Sequence, residues 1–448
     1  MKFRKLRRPF RVACTAVLPA AVALLCFGVL EPARGQSLDS IERQRASDML
    51  KVLKDDIKKN YYDSTFQGFD VDACFKAADD KLKRATSLGQ ALGIIAQALL
   101  DLNDSHTFFI PPPRPERVEY GWYMQMIGDK CYVVAVKPGS AAQAKGLKVG
   151  DQVHSVEGFK PTRKDLWKMD YYYRALSVRP GLQVVAQSPG AEPRQLDVPA
   201  KVWHGKRVLT FSEDYNDLIR ESESEDRLNR HRFFNLGNVV VWKMPNFEYE
   251  PEQADSLMSE RVRERAALVL DLRGNPGGYI TTLERLVGNF FDHDVKIADL
   301  KGRKEMKPIL SKTRGKSIFG GKLVVLVDSK SGSAAEMFAR LVQLEKRGIV
   351  IGDQTAGAVM QARGYSYEIG TINVVLYGAS ITNADVIMSD GKSVEHVGVT
   401  PDELLLPSAE DIAEHRDIVL ARAIELAGER IDPAKAGEIF PVEWKKTP

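Results

Sequence analysis

Residues 267–278 read Ala-Leu-Val-Leu-Asp-Leu-Arg-Gly-Asn-Pro-Gly-Gly, and the fold can be inferred outward from them. A mostly apolar run of this length, ended by glycines and a proline, predicts a buried strand followed by a tight turn. The adjacent Gly277 and Gly278 let the backbone approach a ligand closely and direct an N–H at it. An ordinary tight turn has the same composition, so the motif alone leaves its function open.

Short apolar strands alternate with helical segments on both sides of this motif. Strands are predicted at residues 239–242, 267–272, 323–327 and 349–352, with a final set near 365–382. Helices are predicted at residues 251–265, 279–290 and 333–346. This alternation, between about residues 237 and 406, indicates an α/β core. Residues 408–429 predict one further helix, with Ser408 as its N-cap.

Two segments of different character precede this core. Residues 38–102 have helical periodicity, and Ser87 followed by Gln90 fits a capping box at the start of the last helix. Residues 120–202 are rich in strand formers and contain VKPGSAAQAKGLKVGDQVHSVEG at 136–158. Glycines for tight turns, one Ala-rich helical turn and alternating strands predict a small β-barrel here.

The first 35 residues have the layout of an export signal. Seven basic residues and one acid fall in this tail, an apolar stretch covers residues 12–30, and Ala33-Arg34-Gly35 is a small-x-small cleavage site. The alternative is an uncleaved anchor formed by residues 12–30. Without the tail, 57 basic and 59 acidic residues remain, so the formal net charge changes from +4 to −2. The body therefore gives no charge-based case for binding nucleic acid.

Two further strings contain candidate catalytic residues. Ser333, in Gly332-Ser-Ala-Ala-Glu336, falls between a predicted strand and a helix, where the free N–H groups of the helix stabilise negative charge. A serine at this point is more often only an N-cap. Asp104-Ser105-His106 ends a predicted helix, and its simpler interpretation is a terminating turn.

Cys74 and Cys131 could form one disulfide, although two buried thiols are the simpler interpretation.

Four strings in this order resemble the carboxyl-terminal processing (tail-specific) serine peptidases, a family that includes the tricorn protease core. They are LNDSHTFF at 102–109, LVLDLRGNPGG at 268–278, SGSAAEMFA at 331–339 and VEHVGVTPD at 394–402. The resemblance implies an α+β or α/β fold with a crotonase/ClpP-like peptidase core and an inserted PDZ-like β-barrel domain. The implied division is a signal peptide (1–35), a helical module (38–115), the PDZ-like domain (118–203), the peptidase core (204–407) and a C-terminal helix and tail (408–448).

One departure from the family pattern concerns the base. Most members are Ser/Lys enzymes with a lysine 25 residues after the serine, whereas that position here is Ala358. The tricorn-like branch lacks the lysine too, and it uses the histidine of the Ser-His pair with a glutamate of the closing box. The resemblance therefore implies Ser333 as nucleophile and His106 as base. A histidine that titrates near neutral pH is also the default base on chemical grounds.

The remaining roles follow from the same resemblance. Ser105 and Glu395 are expected to orient the imidazole, and the N–H groups of Gly277 (or Gly278) and Ala334 are expected to bind the oxyanion. His396 and Lys330 are weaker rivals for the base. No His-x-x-x-His or Cys-x-x-Cys spacing occurs, so neither a metal nor another cofactor is expected.

The combined interpretation is an exported serine endopeptidase, periplasmic or secreted, that cleaves peptides or unstructured protein C-terminal tails. The alternatives are a catalytically silent peptidase-fold protein that binds peptide or a hydrophobic ligand, as interphotoreceptor retinoid-binding protein exemplifies, and a scaffold led by the PDZ-like domain. That domain could take a peptide C-terminus by strand addition. Membrane contact is expected only through residues 12–30, and the oligomeric state and cleavage specificity stay open.

Overall fold

The computed structural model of the 448-residue chain describes residues 38–113, 116–204, 230–370 and 374–444. The predicted signal segment, with its alternative as a membrane anchor, lies outside these ranges. Among the described helices, none is both long enough and apolar enough to span a bilayer.

Residues 38–113 form three α-helices, a 3₁₀ turn at Phe66–Gly68 and a short strand. The elements are Ser40–Asn60 (α1), Val71–Leu82 (α2), Leu88–Leu100 (α3) and Phe108–Ile110 (β1). Ser87 caps α3, because its Oγ accepts the Gln90 N–H at 3.2 Å. The Gln90 side chain accepts the N–H of Thr86 instead of that of Ser87, so only half of the predicted capping box forms.

Residues 116–204, called the insert below, are rich in strands. The strands are Glu116–Glu119 (β2), Trp122–Ile127 (β3), Lys130–Val136 (β4), Gln152–Val156 (β5), Gly181–Gln187 (β6), Arg194–Pro199 (β7) and Lys201–His204 (β8). The helices are Ala141–Ala144 (α4) and Leu166–Tyr171 (α5), and α5 continues into a π-turn at Tyr172–Leu176.

The closed barrel predicted for the insert does not form. Strands β3 to β7 make an open antiparallel sheet in sequence order, and β8 leaves it to pair with β2. Leu166, Met169 and Tyr173, from α5 and its π-turn, pack into the core of this sheet. A helix thus covers the apolar face that further strand pairing would cover in a barrel, and β3 remains an edge strand.

The core contains two sheets and three helices. The strands are Arg232–Leu236 (β9), Val239–Lys243 (β10), Ala267–Asp271 (β11), Val295–Lys301 (β12), Ile309–Ser311 (β13), Lys322–Val327 (β14), Ile349–Gly352 (β15), Met360–Ile369 (β16), Val375–Met388 (β17) and Glu403–Leu404 (β18). The helices are Pro251–Leu257 (α6), which continues into a π-turn at Met258–Val262, Ile280–Val287 (α7) and Ala334–Leu344 (α8).

The larger sheet has the order β18-β15-β14-β11-β10-β9, and all its neighbours are parallel except β9. Alternate residues of its strands, such as Leu268 and Val269, belong to two separate apolar clusters. Helices cover both clusters, as parallel sheets require. The second sheet has the order β1-β17-β12-β13, with β16 also paired to β17.

The prediction of one continuous helix over residues 408–429 is wrong, because the structure has a break within this segment. It is broken into Ala409–Ala413 (α9) and Ile418–Ala427 (α10), and Pro433–Ile439 (α11) follows. The Ser408 cap is confirmed, since its Oγ accepts the Asp411 N–H at 3.1 Å. His415 has a φ of 56°, and Asp417 begins a new helix by accepting the Leu420 N–H at 2.9 Å. The break directs Asp417 toward the core.

Candidate active site

The turn after β11 and the turn after β14 meet at the carboxyl ends of these two parallel strands. A Cβ on Gly277 would lie 2.6 Å from the Ser333 Cβ, so only glycine permits this approach. The N–H of Gly332 donates to the carbonyl of Asn275 at 2.9 Å and fixes one turn on the other. Ligand sites in open α/β sheets occur at this end of the strands.

Ser333 has a strained backbone. Its φ of 52° and ψ of −118° are unusual for a residue with a side chain. Its N–H donates to the carbonyl of Ala358 at 2.9 Å and to Oε2 of Glu336 at 3.1 Å. The serine thus occupies the N-cap position of α8, at the positive end of the helix dipole. Strain held in place by surrounding contacts is typical of functional sites.

Glu336 is the buried carboxylate that holds this turn. Besides the N–H of Ser333, it accepts the hydroxyl of Thr355 at 2.5 Å and the N–H groups of Gly357 and Ala358 at 2.8 and 2.9 Å. Four donors therefore converge on its two oxygens. Burial raises the pKa of Glu336 to about 7, and the four donors act in the opposite direction by favouring the carboxylate.

The two candidate oxyanion glycines differ in what their N–H groups do. The N–H of Gly277 donates to Oδ1 of Asn275 at 2.9 Å. The N–H groups of Gly278 and Ala334, in contrast, donate to no acceptor among the described residues. Gly278 has a φ of 143°, and a Cβ there would lie 2.5 Å from the carbonyl carbon of Phe247. Gly278 and Ala334 therefore hold the two available donors.

Ser105, His106 and Glu395 form one hydrogen-bonded chain. The Ser105 hydroxyl lies 2.7 Å from Nδ1 of His106 and 2.8 Å from Oε2 of Glu395. Glu395 also accepts the N–H of Ser105 at 2.8 Å. Since the hydroxyl has a single proton and a carboxylate can only accept, Ser105 donates to Glu395 and accepts from Nδ1–H of His106. This assignment leaves Nε2 of His106 without a proton.

Burial lowers the pKa of His106, and the charge of Asp104 acts in the opposite direction. The imidazole therefore stays neutral to a lower pH than an exposed histidine. Asp104 fixes the histidine's backbone, because its Oδ1 accepts the N–H of His106 at 2.9 Å and the hydroxyl of Thr382 at 2.6 Å. Burial also raises the pKa of Glu395.

Residues 358–359 connect the hydrogen-bonded series of Glu395, Ser105 and His106 to the turn that holds Ser333. The N–H of Val359 donates to Oε2 of Glu395 at 2.8 Å, and the preceding carbonyl, of Ala358, accepts from Ser333. No direct hydrogen bond joins His106 to Ser333 among the described contacts. Such bonds often form only when substrate is present.

Neither rival base has a described hydrogen bond to Ser333. Nε2 of His396 lies 2.8 Å from the carbonyl of Asn103 and 3.7 Å from Oε1 of Glu395, and the ring is half exposed. Lys330 faces the insert instead. Burial raises the pKa of Cys131 to about 12, and the positive charge of Lys330 lowers that pKa. Cys131 and Cys74 are both free thiols, so the disulfide alternative does not form. In the described part of the chain, no group of three acidic, histidine or cysteine side chains could hold a metal ion.

A buried charge network supports the turn after β11. Arg273 donates to both oxygens of Asp417 at 2.9 and 2.8 Å and to both oxygens of Asp271 at 3.0 and 2.8 Å. Lys243 lies 3.2 Å from Asp271 and donates to the carbonyl of Arg273 at 2.6 Å. The fork of Arg273 thus ties the turn to α10, a geometry that lysine cannot reproduce.

Three supporting residues are absent from the sequence-based prediction of the site: Glu336, Asn275 and Thr355. A signal for Glu336 was present, because Ser333 and Glu336 have the spacing of a capping box. Asn275 and Thr355 act through contacts with residues distant in sequence, and single-sequence patterns carry no signal for these.

Comparisons with known proteins concern the family and the fold of the chain. Residues 236–405 match the sequence profile of peptidase family S41. The tail-specific protease of Haemophilus influenzae is 24% identical over 280 residues, which cover 59% of this chain and 38% of the relative. The carboxy-terminal processing protease CtpB of Bacillus subtilis is 24% identical over 381 residues, which cover 79% of this chain and 73% of the relative.

The putative tricorn protease homolog 2 of Streptomyces coelicolor is 30% identical over 396 residues, and the match covers 84% of this chain but 32% of that protein. Among solved structures, mature CPAF superposes with a TM-score of 0.63 at 14% identity, covering 84% of this chain and 95% of CPAF. That likeness concerns the fold. The family match and the processing-protease homologues indicate a serine peptidase hydrolase.

Glu336→Gln tests the buried carboxylate. Because the pKa is raised from 4.5 to about 7, the native state binds this proton more tightly than the unfolded chain does. The group therefore makes folding less favourable as the pH rises through that window. We expect the free energy of unfolding of the variant, relative to wild type, to increase by up to about 3 kcal/mol between pH 4.5 and pH 7. Chemical denaturation at several pH values measures this change, and a pH-independent difference contradicts it.

Asp271→Asn tests the network under the turn. The change leaves Lys243 and Arg273 buried with less negative charge, so the free energy of unfolding should fall by about 3–5 kcal/mol. Asp299→Asn is the matched control, since the pair of Lys296 and Asp299 is half exposed and should contribute at most about 1 kcal/mol. Equal effects of the two substitutions would show that the network does not stabilise the turn.

Proposed function

We propose that this chain, whose residues 236–405 match the profile of peptidase family S41, is an exported serine endopeptidase that cleaves peptides or unstructured protein C-terminal tails. The observation that carries the proposal is the hydrogen-bonded chain of Glu395, Ser105 and His106. Glu395 accepts the N–H of Val359, and the carbonyl of the same peptide unit, that of Ala358, accepts the N–H of Ser333.

His106 is the proposed base. Its Nε2 takes the proton of Ser333 Oγ as the oxygen forms a bond to the scissile carbonyl carbon. The imidazolium that results is stabilised through Ser105 by the Glu395 carboxylate, which has the role of the third member of a triad. The lowered pKa of His106 keeps the base unprotonated at neutral pH.

The N–H groups of Gly278 and Ala334 are the proposed oxyanion hole. Both are unpaired among the described residues, whereas that of Gly277 is held by Asn275. Gly277 then has a different role, because its missing side chain lets the turn contact Ser333. Each donor aimed at the oxyanion contributes about 10²–10³ in rate.

In the remaining proposed steps, His106 passes each proton on and returns to its neutral form. Collapse of the tetrahedral intermediate breaks the C–N bond, and His106 gives its proton to the leaving amine. Water then attacks the acyl-enzyme, His106 accepts a proton from it, and Ser333 Oγ recovers that proton as the carboxylate product leaves. Ala358 occupies the position of the family lysine and has no side-chain base, so a Ser/Lys pair at that position is excluded.

The insert is the proposed PDZ-like domain. Its edge strand β3 pairs only with β4 in the described sheet, so an added peptide strand would have to displace the hydrogen bond from Ser329 to the carbonyl of Met126. Residues 1–35 supply the proposed export signal, which leads to the periplasm or outside the cell, with membrane anchoring through residues 12–30 as the alternative.

A fluorophosphonate probe, which reacts with activated serines, tests the chemistry directly. Wild type should be labelled at Ser333, Ser333→Ala should not be labelled, and His106→Ala should react at least about a hundredfold more slowly because the base is lost. His293→Ala is the matched control and should react at the wild-type rate, since that ring is exposed and lies beside Asp292.

Labelling that survives in His106→Ala, or that is lost equally in His293→Ala, contradicts the Ser/His mechanism. A folded wild-type protein that is not labelled at all would instead favour the catalytically silent binding protein. Circular dichroism of each variant distinguishes loss of chemistry from loss of fold.

A further inference from the structure

The C-terminal segment Phe440–Trp444 crosses from the core to the insert. Arg232, in β9, donates to the carbonyl of Pro441 at 3.0 Å. Arg230, just before β9, pairs with Glu443 at 2.6 Å. Two arginines therefore hold the path of this segment along the edge of the large sheet.

The segment reaches the insert through an aromatic stack. The rings of Trp444 and Tyr123 lie 4.7 Å apart between centroids and are inclined by only 7°. Tyr123 is in β3, and the guanidinium of Arg174 also lies 5.5 Å from its ring centroid. A parallel, closely spaced ring pair is a favourable contact that adds to the burial of its area.

Two and three residues further along β3, Gln125 and Met126 contact the loop of residues 328–333, which leads to Ser333. Gln125 donates to Oδ2 of Asp328 at 2.6 Å, and the carbonyl of Met126 accepts the hydroxyl of Ser329 at 2.5 Å. Asp328 also accepts the N–H of Gly274, in the turn after β11, at 2.9 Å. β3 therefore has the C-terminal segment at one end and both active-site turns at the other.

We propose that Phe440–Trp444 is an internal brace. By stacking on Tyr123, Trp444 holds β3 against the loop that leads to Ser333, so that a contact outside the active site positions the nucleophile. Trp444 is in this sense a positioning residue. The part of the proposal that concerns reactivity rests on the proposed function, whereas the mechanical coupling does not.

Hydrogen exchange on the full chain tests the coupling. The amides of Ser331, Gly332 and Ser333 are all hydrogen-bonded and so report on the loop. In Trp444→Ala, peptides covering residues 122–127 and 328–333 should exchange about two- to tenfold faster, the factor that the loss of one aromatic pair implies. Trp444→Phe should restore most of the protection. Val442→Ala is the matched control, because Val442 belongs to the same segment and is exposed.

The rate of fluorophosphonate labelling at Ser333 should fall in Trp444→Ala by a similar factor and recover in Trp444→Phe. The brace is overturned if exchange quickens in residues 122–127 but not in 328–333. It is also overturned if residues 440–444 exchange as fast in wild type as in Trp444→Ala. If wild type is not labelled while the exchange pattern holds, the proposed function fails and the brace stands.

Discussion

The buried carboxylate of Glu336 joins the turn that presents Ser333 to residues 355–358, and the positions of the other candidate residues follow from that junction. Ala358 and Val359 lie between the two halves of the site. The carbonyl of Ala358 accepts from Ser333, and the N–H of Val359 donates to Glu395. Without the carboxylate, the hydroxyl of Thr355 and the N–H groups of Gly357 and Ala358 would lose their acceptor, and the bond from Ser333 to the carbonyl of Ala358 would lose this support.

This arrangement is costly in free energy, and the cost is offset locally. Burial opposes the charge of Glu336 and of Asp271, and in each case hydrogen-bond donors or opposite charges oppose the effect of burial. Ser333 keeps its unusual backbone conformation because Gly277, Glu336 and Ala358 surround it. A site of this kind favours a fixed geometry over stability, as is common where strain and buried charge coincide.

Local patterns predicted the elements whose causes are local. The apolar run at 267–272, the glycines after it and the N-cap position of Ser333 all depend on residues a few positions apart. The wrong predictions concern distant contacts. The break before α10 accompanies the pairing of Asp417 with Arg273, which is 144 residues away, and the insert stays open because α5 covers its sheet. The proposed choice of Gly278 over Gly277 rests on the side chain of Asn275, whose direction no pattern gives.

The most direct measurement of the central claim is a crystal structure of the protein inactivated by a peptidyl phosphonate. The account predicts a bond from Ser333 Oγ to phosphorus, with the phosphonyl oxygen within hydrogen-bond distance of the N–H groups of Gly278 and Ala334 and with Nε2 of His106 beside Oγ. An adduct on another residue, an oxygen directed at Gly277, or a His106 ring turned away from Oγ would contradict it.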